Sequence, residues 1–258
     1  MRIVCLAENT ACDERLGAEH GLSLYIEYGS RKILFDMGQS DLFLQNAGTL
    51  GIDLAEVDIA VVSHGHYDHG GGLAAFLAVN DSAPIYVSRS AFMPHWHGSE
   101  KYIGLDPALA DHPRLKMIDV ETVLDAGITL CRCEDDSLLY PIDAAGLCVG
   151  RDGELVPEDF CHEQYLLLEE NGKRILISGC SHRGILNIMH RFHPDVLIGG
   201  FHYSKIAPGD ALAAYADVLA RYDTDYYTCH CTGNAQFAFM KNRLGRLAYL
   251  AGGAVLDL

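Results

Sequence analysis

Ser63-His64-Gly65-His66-Tyr67-Asp68-His69-Gly70 follows directly on an apolar run at residues 59–62. Three imidazoles and one carboxylate fall between residues 64 and 69. At the end of an extended strand His64 and His66 point the same way, because side chains repeat every second residue. A turn after His66 brings Asp68 and His69 to a neighbouring point. Together these four can supply ligands to two metals lying close together, an arrangement that activates water and clamps an anionic substrate. The bland alternative is a loop that merely happens to be rich in histidine. Fixed spacing directly behind a strand argues against it.

Working outward, strands are expected at residues 23–27, 32–35 and 59–63, a helix at 72–78, and a strand at 84–87. Apolar runs at 165–168 and 174–178 flank Glu169-Glu170-Asn171-Gly172, and Asn-Gly in that setting predicts a hairpin. A strand at 195–199, a helix at 211–222, a strand at 225–229, a helix at 235–244 and a closing strand at 251–256 complete the pattern. That is a layered domain of two sheets with single helices between strands. Neither a linker nor an internal repeat interrupts it, so residues 1–258 read as one domain. Residues 88–161 are harder. The runs 93–98, 105–113 and 143–159 read as loops around short strands at 116–120 and 129–133. Long irregular segments of this kind serve as lids or pocket walls.

Composition narrows the function. Against 19 Lys and Arg stand 35 Asp and Glu, a formal charge of −16 over 258 residues. That balance excludes a general nucleic-acid binder, which needs clustered cations, and an anionic membrane surface. Hydrophobic residues at 49% imply a packed core. The start reaches Glu8 without a long apolar run, so no export signal is expected. Nine cysteines without such a signal imply free thiols and a cytoplasmic location. The sequence holds no Gly-x-Gly-x-x-Gly after a strand, no phosphate-binding loop and no Gly-x-Ser-x-Gly turn.

The histidine motif resembles that of the metallo-β-lactamase superfamily, and the resemblance covers nearly the whole chain. It implies an α+β fold, an αββα sandwich of two mixed sheets flanked by helices. The superfamily's Asp-x-Gly turn is matched by Asp36-Met37-Gly38, whose aspartate supports the metal loop by hydrogen bonds. Further stretches are similar to the branch named for a methanogen dihydropterin (aminobenzene ribofuranosyl phosphate) synthase and its related metal-dependent hydrolases. They are Ala18-Glu19-His20-Gly21-Leu22-Ser23, Leu34 to Ser40, Ser178-Gly179-Cys180-Ser181-His182-Arg183-Gly184, Gly199-Gly200-Phe201-His202 and His230-Cys231-Thr232-Gly233.

The resemblance implies further ligands. His182, in Gly-Cys-Ser-His behind a strand, and His230, at the superfamily's final histidine, are assigned as ligands. His162 competes with His182 for one position. Cys180 stands where most members carry an aspartate bridging both metals. A thiolate ligates zinc but bridges two hard ions less readily, so its role stays open. His202, with Lys205 behind it, is the candidate for holding a phosphate or carboxylate of the substrate. His95 and His97 flank Trp96 on the expected lid. Cys131-Arg132-Cys133 and Cys229-His230-Cys231 suggest a rival structural zinc site, but small buried thiols explain them more simply.

The expected activity is hydrolysis of a small ester or phosphoester by metal-activated water. Two divalent ions, zinc first with iron or manganese as alternatives, would act with Asp68 as the catalytic carboxylate. The alternatives are a dihydropterin-type synthase, in which metals assist a condensation, and a non-catalytic metal-binding sensor. The partner is a small molecule, phosphorylated or not, with no nucleic acid and no membrane.

Overall fold

The computed structural model describes residues 1–133 and 138–258. The chain forms two compact units, one of residues 1–119, 144–158 and 251–258, the other of 120–143 and 159–250.

The first unit is organised on a seven-stranded mixed sheet. In spatial order its strands are Val255–Asp257, Arg2–Ala7, Ser23–Tyr28, Arg31–Phe35, Ile59–Val61, Ile85–Ser88 and Leu115–Ile118. The first four pair antiparallel, and from Arg31–Phe35 onward the pairing is parallel. Helices Leu42–Thr49 and Leu73–Val79 turn Phe43, Ala47, Leu73 and Phe76 into a core with Val4, Leu6, Tyr25, Leu34, Ala60 and Val62 of the sheet. The alternate residues Ile3, Leu24, Ile26, Ile33, Phe35 and Val61 are buried as well. Burial on both faces explains the continuous apolar runs of these strands.

The second unit has its own seven-stranded mixed sheet. Its order is Leu247–Tyr249, Asp225–Thr228, Val196–Gly199, Lys173–Ile177, Tyr165–Glu170, Ile128–Cys131 and Thr122–Asp125. The expected hairpin is present: Glu170 pairs with Lys173 across Asn171 and Gly172, both at positive φ as a tight hairpin turn requires. Helices Ile185–Phe192, Asp210–Leu219 and Asn234–Lys241 supply Ile185, Ile188, Met189, Phe192, Leu212, Ala216 and Met240 to its core. Mixed sheets with flanking helices make an α+β fold, as the resemblance implies.

Residues 88–161 differ from the expected loops. His95–His97, Lys101–Tyr102, Leu147–Arg151 and Glu154–Pro157 form a four-stranded antiparallel sheet in the first unit. Strands of two to five residues show no local periodicity, and the pairing that joins the two hairpins, His95–His97 with Leu147–Arg151, links positions some fifty residues apart. Among the described residues no helix is long and apolar enough to cross a membrane.

Candidate metal centre

Parallel pairing creates the site in the first unit. The register Phe35↔Val61 sets the ends of two strands side by side, so Asp36 and Ser63 emerge together. Asp36 adopts φ +60, left-handed backbone that an aspartate tolerates better than most residues. Its buried carboxylate accepts three hydrogens: from Ser63 N at 2.7 Å, from Ser63 Oγ at 2.7 Å and from His69 Nδ1 at 2.6 Å.

Those bonds fix two tautomers. His69 gives its Nδ1 proton to Asp36, which leaves the lone pair on Nε2. Ser63 spends its only hydroxyl proton on Asp36. Its oxygen therefore accepts from His64 Nδ1, 2.8 Å away, and the His64 lone pair also lies on Nε2. The rings of His64 and His66 are 4.6 Å apart and those of His64 and His69 4.1 Å, centroid to centroid. Donor atoms of His64 and His66, and of His64 and His69, come within 4.8 Å of each other. Gly65 between the first two is obligatory, because a β-carbon there would lie 2.2 Å from the Ala91 carbonyl oxygen. Asp68 lies in the first turn of the short helix Tyr67–Gly70, with Oδ2 3.9 Å from His69 Nε2.

Three residues of this unit that the sequence does not mark as ligands join the cluster. His20 lies with Nε2 3.2 Å from Asp68 Oδ2, and its Nδ1 faces the Asn9 amide at 3.4 Å. His95, expected on a lid, is buried instead. Its Nδ1 is 2.8 Å from Glu158 Oε2, its Nε2 3.2 Å from the Ser90 carbonyl, and its ring 5.6 Å from that of His66. Donor atoms of His66, His95 and Glu158 lie within 4.8 Å of one another. The small sheet delivers His95, since Ile103 N donates to His95 O while Ile103 O accepts from Tyr67 N.

The second unit repeats the strand-end device. The parallel registers Ile177↔Ile198 and Gly199↔Thr228 align three strand ends. Ser181, His202 and His230 follow them at φ +59, +55 and +48. Strained backbone of this kind gathers at functional sites. Cys180, His230 and Cys231 are buried and offer donor atoms within 4.8 Å of one another. The His182 ring stacks on Phe160, 4.4 Å away at 9° between planes, and meets His202 at 4.2 Å. His162 is buried too.

Glu163, absent from the sequence reading, holds the His182 loop. Its carboxylate accepts from His182 N at 2.6 Å, Arg183 N at 2.9 Å and the Tyr165 hydroxyl at 2.6 Å. Burial pushes the Glu163 carboxyl above the ordinary carboxylate range, and these three donors offset only part of that rise. Glu163→Ala should therefore cost on the order of 3 kcal/mol in urea unfolding, because three buried donors lose their acceptor. A loss no larger than that of Tyr165→Phe, about 1 kcal/mol for one bond, would refute the clamp.

Imidazoles and carboxylates in this number are the donors of divalent transition metals. The His64, His66, Asp68 and His69 cluster fits such an ion, with two lone pairs already set toward Nε2. A buried, histidine-rich centre on strand ends of an α+β fold defines a metalloprotein class, and the comparisons agree. The model of the metallo-beta-lactamase superfamily matches residues 16–222, and the chain belongs to that superfamily. An uncharacterised protein of Methanocaldococcus jannaschii is 30% identical over 242 residues, 90% of each chain. From the same organism, 7,8-dihydropterin-6-methyl-4-(β-D-ribofuranosyl)-aminobenzene-5′-phosphate synthase is 26% identical over 268 residues, 93% of this chain and 91% of its own. The crystal structure of a metal-dependent hydrolase of the β-lactamase superfamily superposes with a TM-score of 0.83 and 29% identity, covering 100% of this chain and 99% of that one.

Proposed function

We propose that this chain is a metal-dependent hydrolase of a small ester or phosphoester. The observation that carries the reading is the fixed pair of tautomers at His64 and His69, which the Asp36–Ser63 relay imposes. Metal-ligating histidines characteristically donate Nδ1–H to a carboxylate or other oxygen in this way, which fixes the ring and leaves Nε2 for the ion. When bound, divalent ions supply a lowered water pKa and a counter-charge for an anionic centre.

The chain's own residues do the rest. His64, His66, Asp68 and His69 bind the metal, and the Asp68 carboxylate orients the attacking water. His20 steadies Asp68 through Nε2. His202, placed against His182 by its left-handed backbone, contacts the anionic part of the substrate. We assign His182 and His230 as metal ligands in the second unit. Metal titration of His182→Ala against His162→Ala tests the first of these, and the larger loss is expected for His182.

Zinc fits the mixed nitrogen, oxygen and sulfur donors, and iron or manganese fits the imidazole–carboxylate set. A synthase activity is the second reading, supported by the 26% identical synthase that aligns over 93% of this chain. Metal analysis of the purified protein, alongside phosphodiesterase, phosphatase, esterase and lactonase substrates in oxygen-18 water, tests both. Hydrolysis places the heavy oxygen in product, and condensation does not. Tightly bound metal with no turnover of any of these substrates would count against the hydrolase and favour a sensor.

A further inference from the structure

Two thiols in the second unit flank the sequence's last metal candidate, and only one of them stands at a position where the superfamily carries a ligand. Cys180, His230 and Cys231 are all buried, and one donor atom of each lies within 4.8 Å of the other two. The local backbone is built around this approach. Gly200 N donates to Gly179 O at 2.9 Å, which ties the Cys180 loop to the end of the Val196–Gly199 strand. A β-carbon at Gly200 would stand 2.3 Å from Cys231 Sγ, so the glycine preserves the space that this sulfur fills. His230 takes φ +48 between two cysteines, and the departure from ordinary strand geometry brings its imidazole and the Cys231 thiol within reach of one point.

We propose that Cys231 is a metal ligand, and that Cys180, His230 and Cys231 together form a thiolate-rich site for a zinc-class ion. Two sulfurs and one imidazole are a borderline-soft donor set, unlike the nitrogen and oxygen donors of the first unit. On binding, each thiol releases its proton to solvent and ligates as thiolate. The Cys231 thiol donates to the Cys180 carbonyl at 3.5 Å, a weak contact that ligation would replace. The Cys-x-Cys run 229–231 thus acts through one of its cysteines and the histidine between them, together with a partner some fifty residues away in sequence. The proposal rests on the metal-binding reading above for His230, and on no step of hydrolysis.

Cobalt(II) titrated into the full-length metal-free protein tests it. Sulfur-to-cobalt charge transfer gives a near-ultraviolet band whose intensity follows the number of ligating thiolates. The wild type should show the band, Cys231→Ser and Cys180→Ser should each lose about half of it per bound cobalt, and the double variant should lose it all. Wild-type intensity in Cys231→Ser overturns the proposal. Should that variant fail to fold, X-ray absorption of the zinc-loaded wild type decides instead, through the sulfur atoms at about 2.3 Å counted per chain. Two sulfurs are expected, and one or none overturns it. Neither readout involves turnover. An enzyme that hydrolyses its substrate with one sulfur per chain defeats this proposal alone, whereas two sulfurs in a protein with no hydrolysis defeat only the hydrolase reading.

Discussion

His64→Ala and His66→Ala should each strip bound metal from the protein and abolish its turnover. Both side chains are buried, their rings are 4.6 Å apart, and the backbone between them is pinned by contact with Ala91. No neighbour can move in to replace a lost nitrogen, because His69 is held by Asp36 and His95 by Glu158. Removing a group that only orients a ligand typically costs about 10–100-fold in metal affinity, and deleting the ligand itself should exceed that range. Metal analysis by mass spectrometry after dialysis gives the content directly. The fold should survive, since these histidines sit beyond the strand and the core of Leu34, Ala60 and Val62 lies behind them. Metal content unchanged in both variants would remove the centre assigned to the first unit.

The metal motif was legible in sequence because it is local. Four ligand-type residues within one turn of chain, behind an apolar strand, carry their own geometry. Asp36 was legible through the Asp-x-Gly turn, and the register Phe35↔Val61 is what gives that aspartate its three donors. His95, Glu158 and Glu163 were not legible as a group. Glu158 reaches His95 only because strands at His95–His97 and Leu147–Arg151 pair, and neither is long enough to show a period. Glu163 looks like an ordinary charged residue until the His182 loop folds over its carboxylate. The helix Ile185–Phe192 did carry a signal. Ile185, Ile188, Met189 and Phe192 fall at helical spacing and are all buried. Even so, no element is expected from sequence between residues 178 and 195. Cys231 was read as a packed thiol, and nothing in a Cys-x-Cys run reveals that Cys180 lies beside it.

Asp36→Asn should be nearly as damaging as deleting a ligand, although Asp36 is placed to touch no metal. Asparagine tolerates φ +60, so the backbone can stay where it is. The side chain cannot reproduce the bonding. The carboxylate accepts from Ser63 N, Ser63 Oγ and His69 Nδ1, and an amide has one oxygen and one hydrogen-bearing nitrogen. Whichever way the amide turns, at least one of these donors meets an N–H. If the nitrogen faces His69, the ring relieves the clash by accepting at Nδ1, and its proton moves to Nε2. The lone pair needed for ligation is then gone. If the nitrogen faces Ser63 N, a buried backbone donor loses its acceptor, at about 1–3 kcal/mol of stability. The two outcomes are separable. A metal titration should show affinity reduced by at least about 10–100-fold in the first case, and urea unfolding of the metal-free protein reads the second. Asp36→Ala removes the acceptor from all three donors and should be the less stable of the two variants. An Asn variant that binds metal with wild-type affinity and unfolds at the wild-type midpoint would show that the relay does not set the tautomer of His69, and the case for ligation by His64 and His69 would then rest on proximity alone.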